Sequence, residues 1–98
     1  MGNLQELKGR TVVKLAYPIN AKGTEIGEVQ LRRPRVADLK KIDLVKGEFD
    51  KGLMLLVDLS GLEPEAVHAM DAADFVTCSG VIAGFLEGAS PSGTTSGS

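Results

Sequence analysis

Four groups of residues carry side chains able to do chemistry: His68, Cys78, the carboxylates Asp71 and Asp74, and the cluster Arg32, Arg33, Arg35, Lys40 and Lys41. A metal centre needs several His, Cys or carboxylate side chains converging at ligand spacing. His68 stands between Val67 and Ala69 with no other His in the chain, so it reads as an ordinary surface or half-buried histidine. Cys78 falls on an apolar helical stripe, where a free thiol behaves as a small inert hydrophobe. Asp71 and Asp74 sit where a helix should begin, and their spacing suits a capping box better than an acid–base pair. Gly23 and Gly27 lie in or beside a hairpin, so no glycine-rich phosphate loop follows a strand. The expectation is a chain that is not an enzyme and carries neither cofactor nor metal.

The basic cluster is the strongest polar signal. Arginine suits a phosphate backbone, but no aromatic residues interleave with these basic ones and the chain has a net charge of −2. Nucleic acid is therefore an unlikely partner, and acidic residues of the chain's own second half or of a protein partner fit better. Arg32, Arg33 and Arg35 become candidate partner-contact residues. Residues 1–41 carry nine Lys/Arg and four Asp/Glu, whereas residues 42–98 carry two and nine. Such a dipole favours self-association head to tail, or a partner with a complementary face.

The elements that hold these residues follow from pattern. At 98 residues the chain fits one domain. Its apolar share is 43% with only 4% aromatic, so the core must be aliphatic. No apolar run approaches the roughly 20 residues of a membrane span, and residues 1–10 lack the apolar stretch of a signal peptide. With one cysteine besides, a cytoplasmic setting is expected.

The chain reads as α+β: an N-terminal antiparallel β-hairpin over 11–32, three to four short α-helices over 35–87, and a disordered tail. Residues 1–10 are expected to form a flexible arm, 11–87 the single domain, and 88–98 a disordered Gly/Ser/Thr tail. Alternation over Thr11–Tyr17 places Val13, Leu15 and Tyr17 on one side of a strand that Pro18 should end. A turn over Asn20–Gly23 leads to a second strand, Glu25–Arg32. Pro34 starts a helix with Val36, Leu39, Ile42 and Val45 as its apolar stripe, and Gly47 stops it. The next helix runs from Glu48 to Leu59, with Phe49, Leu53, Leu56 and Val57 buried and a break possible at Gly52. Met54 and Leu55 fall beside that stripe, which makes them candidate partner contacts. Methionine adapts to varied partners. Pro64 begins a short helix, and Asp71 opens the last one, whose apolar face is Phe75, Cys78, Ile82, Phe85 and Leu86. Gly80 and Gly84, four apart, would allow another backbone to come close.

One layout unites these features. Leu15-Ala16-Tyr17-Pro18-Ile19 leads through Gly23 to Val29-Gln30-Leu31-Arg32-Arg33-Pro34-Arg35-Val36-Ala37-Asp38-Leu39. Leu59-Ser60-Gly61-Leu62-Glu63-Pro64-Glu65 and Met70-Asp71-Ala72-Ala73-Asp74-Phe75 follow. In order and spacing this resembles the small tail assembly chaperone family of tailed phages and prophages, especially Mu-like and other contractile-tailed phages, over about residues 12–87. The resemblance implies a non-enzymatic role in virion morphogenesis in the cytoplasm of the bacterial host. It implies binding to the tape measure protein, a possible contact with the tail tube protein, and absence from the mature virion. It also leaves room for a frameshifted longer product joined through the polar tail. Two alternatives stay open: a structural tail component retained in the particle, and a small nucleic-acid-binding regulator using Arg32–Lys41.

Overall fold

The computed structural model describes residues 4–7 and 9–87, with side chains from Gly9 onward, so the tail expected to be disordered over 88–98 lies outside the described residues. Three strands, β1 (Leu4–Leu7), β2 (Arg10–Ala21) and β3 (Thr24–Arg32), precede four helices, α1 (Val36–Ile42), α2 (Glu48–Ser60), α3 (Pro64–His68) and α4 (Ala72–Glu87). The α+β class and the antiparallel hairpin leading into helices are as the sequence predicts. The sheet is antiparallel in the order β1-β2-β3.

The hairpin turn is tighter than Asn20–Gly23. Ala21 pairs with Thr24, so only Lys22 and Gly23 turn, at φ 52° and 80°. Two successive positive φ values mark the type I′ turn, whose twist matches that of the flanking strands. The arm expected over 1–10 instead contains a strand: Leu4–Leu7 pairs with Arg10–Val13 across a turn in which Gly9 has φ 80°. Four residues are too few for a period-2 signal, and it is the open edge of β2 that supplies their pairing.

Pro18 does not end β2. The register runs Lys14 with Glu28, then Ile19 with Ile26, so Leu15 to Pro18 bulge opposite Gly27 alone. Proline is tolerated where the ladder is already interrupted. The bulge also turns Tyr17 out of the face it would share with Val13 and Leu15, leaving it 59% exposed.

One face of the sheet supplies Val13, Leu15, Ile19, Val29 and Leu31 to the core; α2 adds Leu55, Leu56 and Leu59, and the later segments Val67, Met70, Cys78 and Ile82. α2 is unbroken at Gly52, and it is rotated relative to the expected stripe. Leu55, Leu56 and Leu59 face inward, Leu53 and Val57 are half-buried, and Phe49 is exposed. The physical reason is that residues 53–57 are all apolar, so the helix has no unique inner face until its neighbours select one. Gly61, in the left-handed region at φ 75°, closes α2 through its N–H to the Val57 carbonyl. Gly80 and Gly84 meet nothing within 4 Å among the described residues, so no backbone makes the close approach their spacing allows.

α1 contains no buried residue. Val36 is 80% exposed and Leu39 is exposed, whereas Ile42 and Val45 are half-buried. Polar contacts, with half-buried Ile42 beside them, hold this helix in place.

Candidate functional site

Those polar contacts begin in the basic cluster. Arg32 donates to both carboxylate oxygens of Asp38, each at 2.9 Å, and Asp38 also accepts the Arg35 backbone N–H at 2.8 Å. The fork-to-fork geometry and the capping bond both favour the ionised carboxylate. They hold Asp38 below the usual carboxylate range, at about 2, and raise Arg32 in turn. Arg33 stacks over the Phe85 ring at 5.3 Å and reaches the Phe85 carbonyl at 3.5 Å. Lys41 pairs with Asp58 at 3.2 Å, tying α1 to α2. Of the expected contact residues, Arg32 and Arg33 are thus engaged within the chain. Arg35 and Lys40 have no ion-pair partner among the described residues.

Because its folded pKa is depressed, Asp38 contributes stability that is fully present above about pH 4. That contribution is lost as pH falls through about 2. Asp38→Asn should cost about 1 kcal/mol at neutral pH, the modest value suited to a partly exposed pair. Urea titrations of both proteins at neutral and acid pH check this, since the gap between them should narrow in acid.

The acid pair divides in two. Asp71 caps α4 by accepting the Ala73 N–H at 2.9 Å. Asp74 does not complete a capping box. Its side chain crosses to the β2 bulge and accepts the N–H groups of Ala16 and Tyr17 at 2.9 and 3.0 Å. Those are amides that the interrupted ladder leaves without a strand partner, and Asp74 is 5% exposed. Cys78, one turn further on, is fully buried, and burial together with the nearby Asp74 pushes its thiol up to about 11. A thiolate is the reactive form, so Cys78 should resist iodoacetamide at neutral pH in the folded chain and react promptly in denaturant. Mass spectrometry of the alkylated protein reads this directly. Among the described residues no group of His, Cys, Asp and Glu is placed to hold a metal ion, and no helix is long and apolar enough to cross a membrane.

The exposed apolar surface lies elsewhere. Two apolar depressions meet over α2 at Leu53 and His68: one is walled by Val45, Met54, Val57 and Pro64, the other by Phe49, Met70, Phe75 and Val76. Phe49 and Phe75 touch with ring centroids 5.2 Å apart and planes tilted by 45°. The Phe75 ring packs beside Gly52, where a Cβ would stand 3.9 Å from its tip, an ordinary contact. Phe49 is 66% and Val76 67% exposed, a large solvent-facing share for such residues. A second, more polar cleft lies between the hairpin turn and α3, bridged by an exposed Lys22–Glu63 pair at 3.9 Å.

Met54, expected as a partner contact, does line the apolar groove. Leu55, expected beside it, does not: it is 5% exposed and belongs to the core, because the rotation of α2 carries it inward. Phe49 and Phe75, which the sequence places on buried helical stripes, line the groove instead, and Val76 joins them there. The two phenylalanines carry the same apolar signal as core residues. Only the neighbourhood of Glu48 and Asp50 hints that Phe49 faces water.

Fold and groove together define a small α+β domain with an exposed apolar groove between helices. The sequence matches the family described as "Phage tail assembly chaperone proteins, E, or 41 or 14" over residues 12–87, and the chain belongs to that family. Neither a curated protein nor a solved structure shows a match to the chain. Membership of a chaperone family points to a non-enzymatic role.

Proposed function

We propose that this tail assembly chaperone binds the tape measure protein by seating amphipathic helical segments in the groove over α2. It would thereby keep that long helical protein soluble until tail tube subunits polymerise around it. The observation that supports this most directly is the pair of exposed residues Phe49 and Val76 on the groove wall. A helix recognised through its apolar face needs such a trough, and Met54 can adapt to the varied side chains of successive turns. The work is done in the host cytoplasm during tail assembly, and the chaperone leaves before the virion is complete.

Co-expression with the tape measure protein tests this. The chaperone should co-purify with it and raise its soluble yield, and Val76→Glu should weaken capture about tenfold or more, a loss of roughly 1.4 kcal/mol. Failure of the unaltered chain to co-purify or to improve solubility would sink the reading. Mass spectrometry of purified virions should not find the chaperone in many copies; finding it there would favour a retained structural component. No observation favours the nucleic-acid reading, since Arg32, Arg33 and Lys41 are already engaged within the chain.

A further inference from the structure

No fully buried residue lies between Leu31 and Leu55. Within 35–47 only Asp38, Ile42 and Val45 are less than exposed. α1 is docked with charges inward: Asp38 meets Arg32, and Lys41 meets Asp58. Val36 and Leu39 face water at 80% and 39% exposure, and Leu44, just beyond the helix, is 85% exposed. A helix held by apolar burial has the opposite arrangement. Lifting α1 away therefore costs two ion pairs and the half-buried surface of Ile42 and Val45, and leaves the core of the domain complete.

The tie to α2 is marginal. Lys41 Nζ lies 3.2 Å from Asp58 Oδ2, yet that oxygen is buried and accepts no hydrogen bond. The Lys41 side chain is 58% exposed, and exposed pairs of this kind contribute little. Both ends of the segment suit a hinge. Pro34 precedes it, and Gly47 follows at φ 92°, a conformation open to glycine and rare for other residues. A few residues at element ends are what commonly absorb hinge motion. Val45 is meanwhile a wall of the groove, with Met54 and Val57 of α2 beside it.

We propose that residues 35–46, α1 with the turn after it, form a flap that opens as a unit while the rest of the domain stays folded. Its position sets the length of the groove. Closed, the flap bounds the trough at Val45. Open, it removes that wall, and the trough continues along α2 past Val57 to the surface that Lys41 and Ile42 cover beside Asp58. A helix long enough to use the extra surface favours the open form by binding it better. Salt favours it too, by screening the two ion pairs. The opening stands on the packing of α1 alone; its consequence for cargo rests on the proposed function.

Native-state hydrogen exchange of the full chain, read residue by residue by NMR, tests the opening. The amides of Leu39 and Asp43, bonded within α1, and of Val45, bonded to Ile42, should exchange about tenfold or more faster than those of Leu55, Leu56 and Leu59. Their rates should stay nearly flat in low urea, whereas the α2 rates climb steeply, because a flap exposes little surface. Lys41→Met should speed all three by one common factor, about twofold to fivefold. Asp38→Asn and about 1 M salt should also speed them together. Exchange of α1 through the same urea-sensitive event as α2, or unequal responses that mark simple fraying, would overturn the inference. Lys41→Met should also capture the tape measure protein about twofold to fivefold more tightly, since the cost of opening is lower. Unchanged capture would overturn the link between flap and groove. Failure of the unaltered chain to bind that protein at all would instead remove the proposed function and leave the flap standing on its exchange.

Discussion

Replacing Asp74 with alanine should lower folding stability by about 2–4 kcal/mol, read as a fall in the urea midpoint with an unchanged slope. The carboxylate accepts two backbone N–H groups that have no strand partner, at 2.9 and 3.0 Å. Bonds to an ionised acceptor are worth more than neutral ones, about 1.5–3 kcal/mol each. Ala16 and Tyr17 are exposed residues, so water recovers part of the loss. Asp74→Asn should cost roughly half as much, since an amide offers one carbonyl oxygen and turns its NH2 toward the other donor. A second reading separates this tie from simple core damage: without the neighbouring charge, the Cys78 thiol should titrate below its present value of about 11. A midpoint unchanged by Asp74→Ala would show that the bulge does not depend on the carboxylate.

Leu56→Ala should have an effect of similar or greater size, about 2–5 kcal/mol. Leu56 is fully buried at the centre of the face that α2 turns to the sheet. Removing its branched end loses transfer energy and leaves a cavity that a close-packed aliphatic core fills only in part. Small domains commonly have only 5–15 kcal/mol in total, so this single change takes a large share. Val36→Ala is the control: at 80% exposure it should shift stability by no more than about 0.5 kcal/mol. Thermal unfolding of the three proteins gives the comparison, and equal melting temperatures would contradict the burial described for α2.

The contrast between Leu56 and Phe49 shows what was legible in the sequence. Element types were readable where local chemistry decides them. Alternation and the turn formers of Asn20–Gly23 mark the hairpin, and Pro34 and Pro64 mark helix starts. The rotation of α2 was not readable, because Leu53 to Val57 are apolar all round and any of several faces could have turned inward. That choice is made by β3, α3 and α4 together. It decides that Leu55 is core while Phe49 and Met54 line the groove. The bulge was hidden for a similar reason. Pro18 signals a strand end when read locally, and its tolerance depends on a carboxylate 57 residues away from Tyr17. The groove joins residues 45–57 to residues 64–76, so no local pattern outlines it.

The same distant tie sets an order of events during synthesis. The three-stranded sheet is complete once Arg32 has emerged from the ribosome, but its apolar face still waits for the helices that cover it. The bulge amides of Ala16 and Tyr17 then wait for Asp74, 58 and 57 residues further along the chain. Contacts that span most of a domain close late and slow folding relative to local ones. A nascent chain ending at α3 therefore holds the sheet's apolar face without its last cover. The core is closed, and the bulge tied, only once α4 has been made.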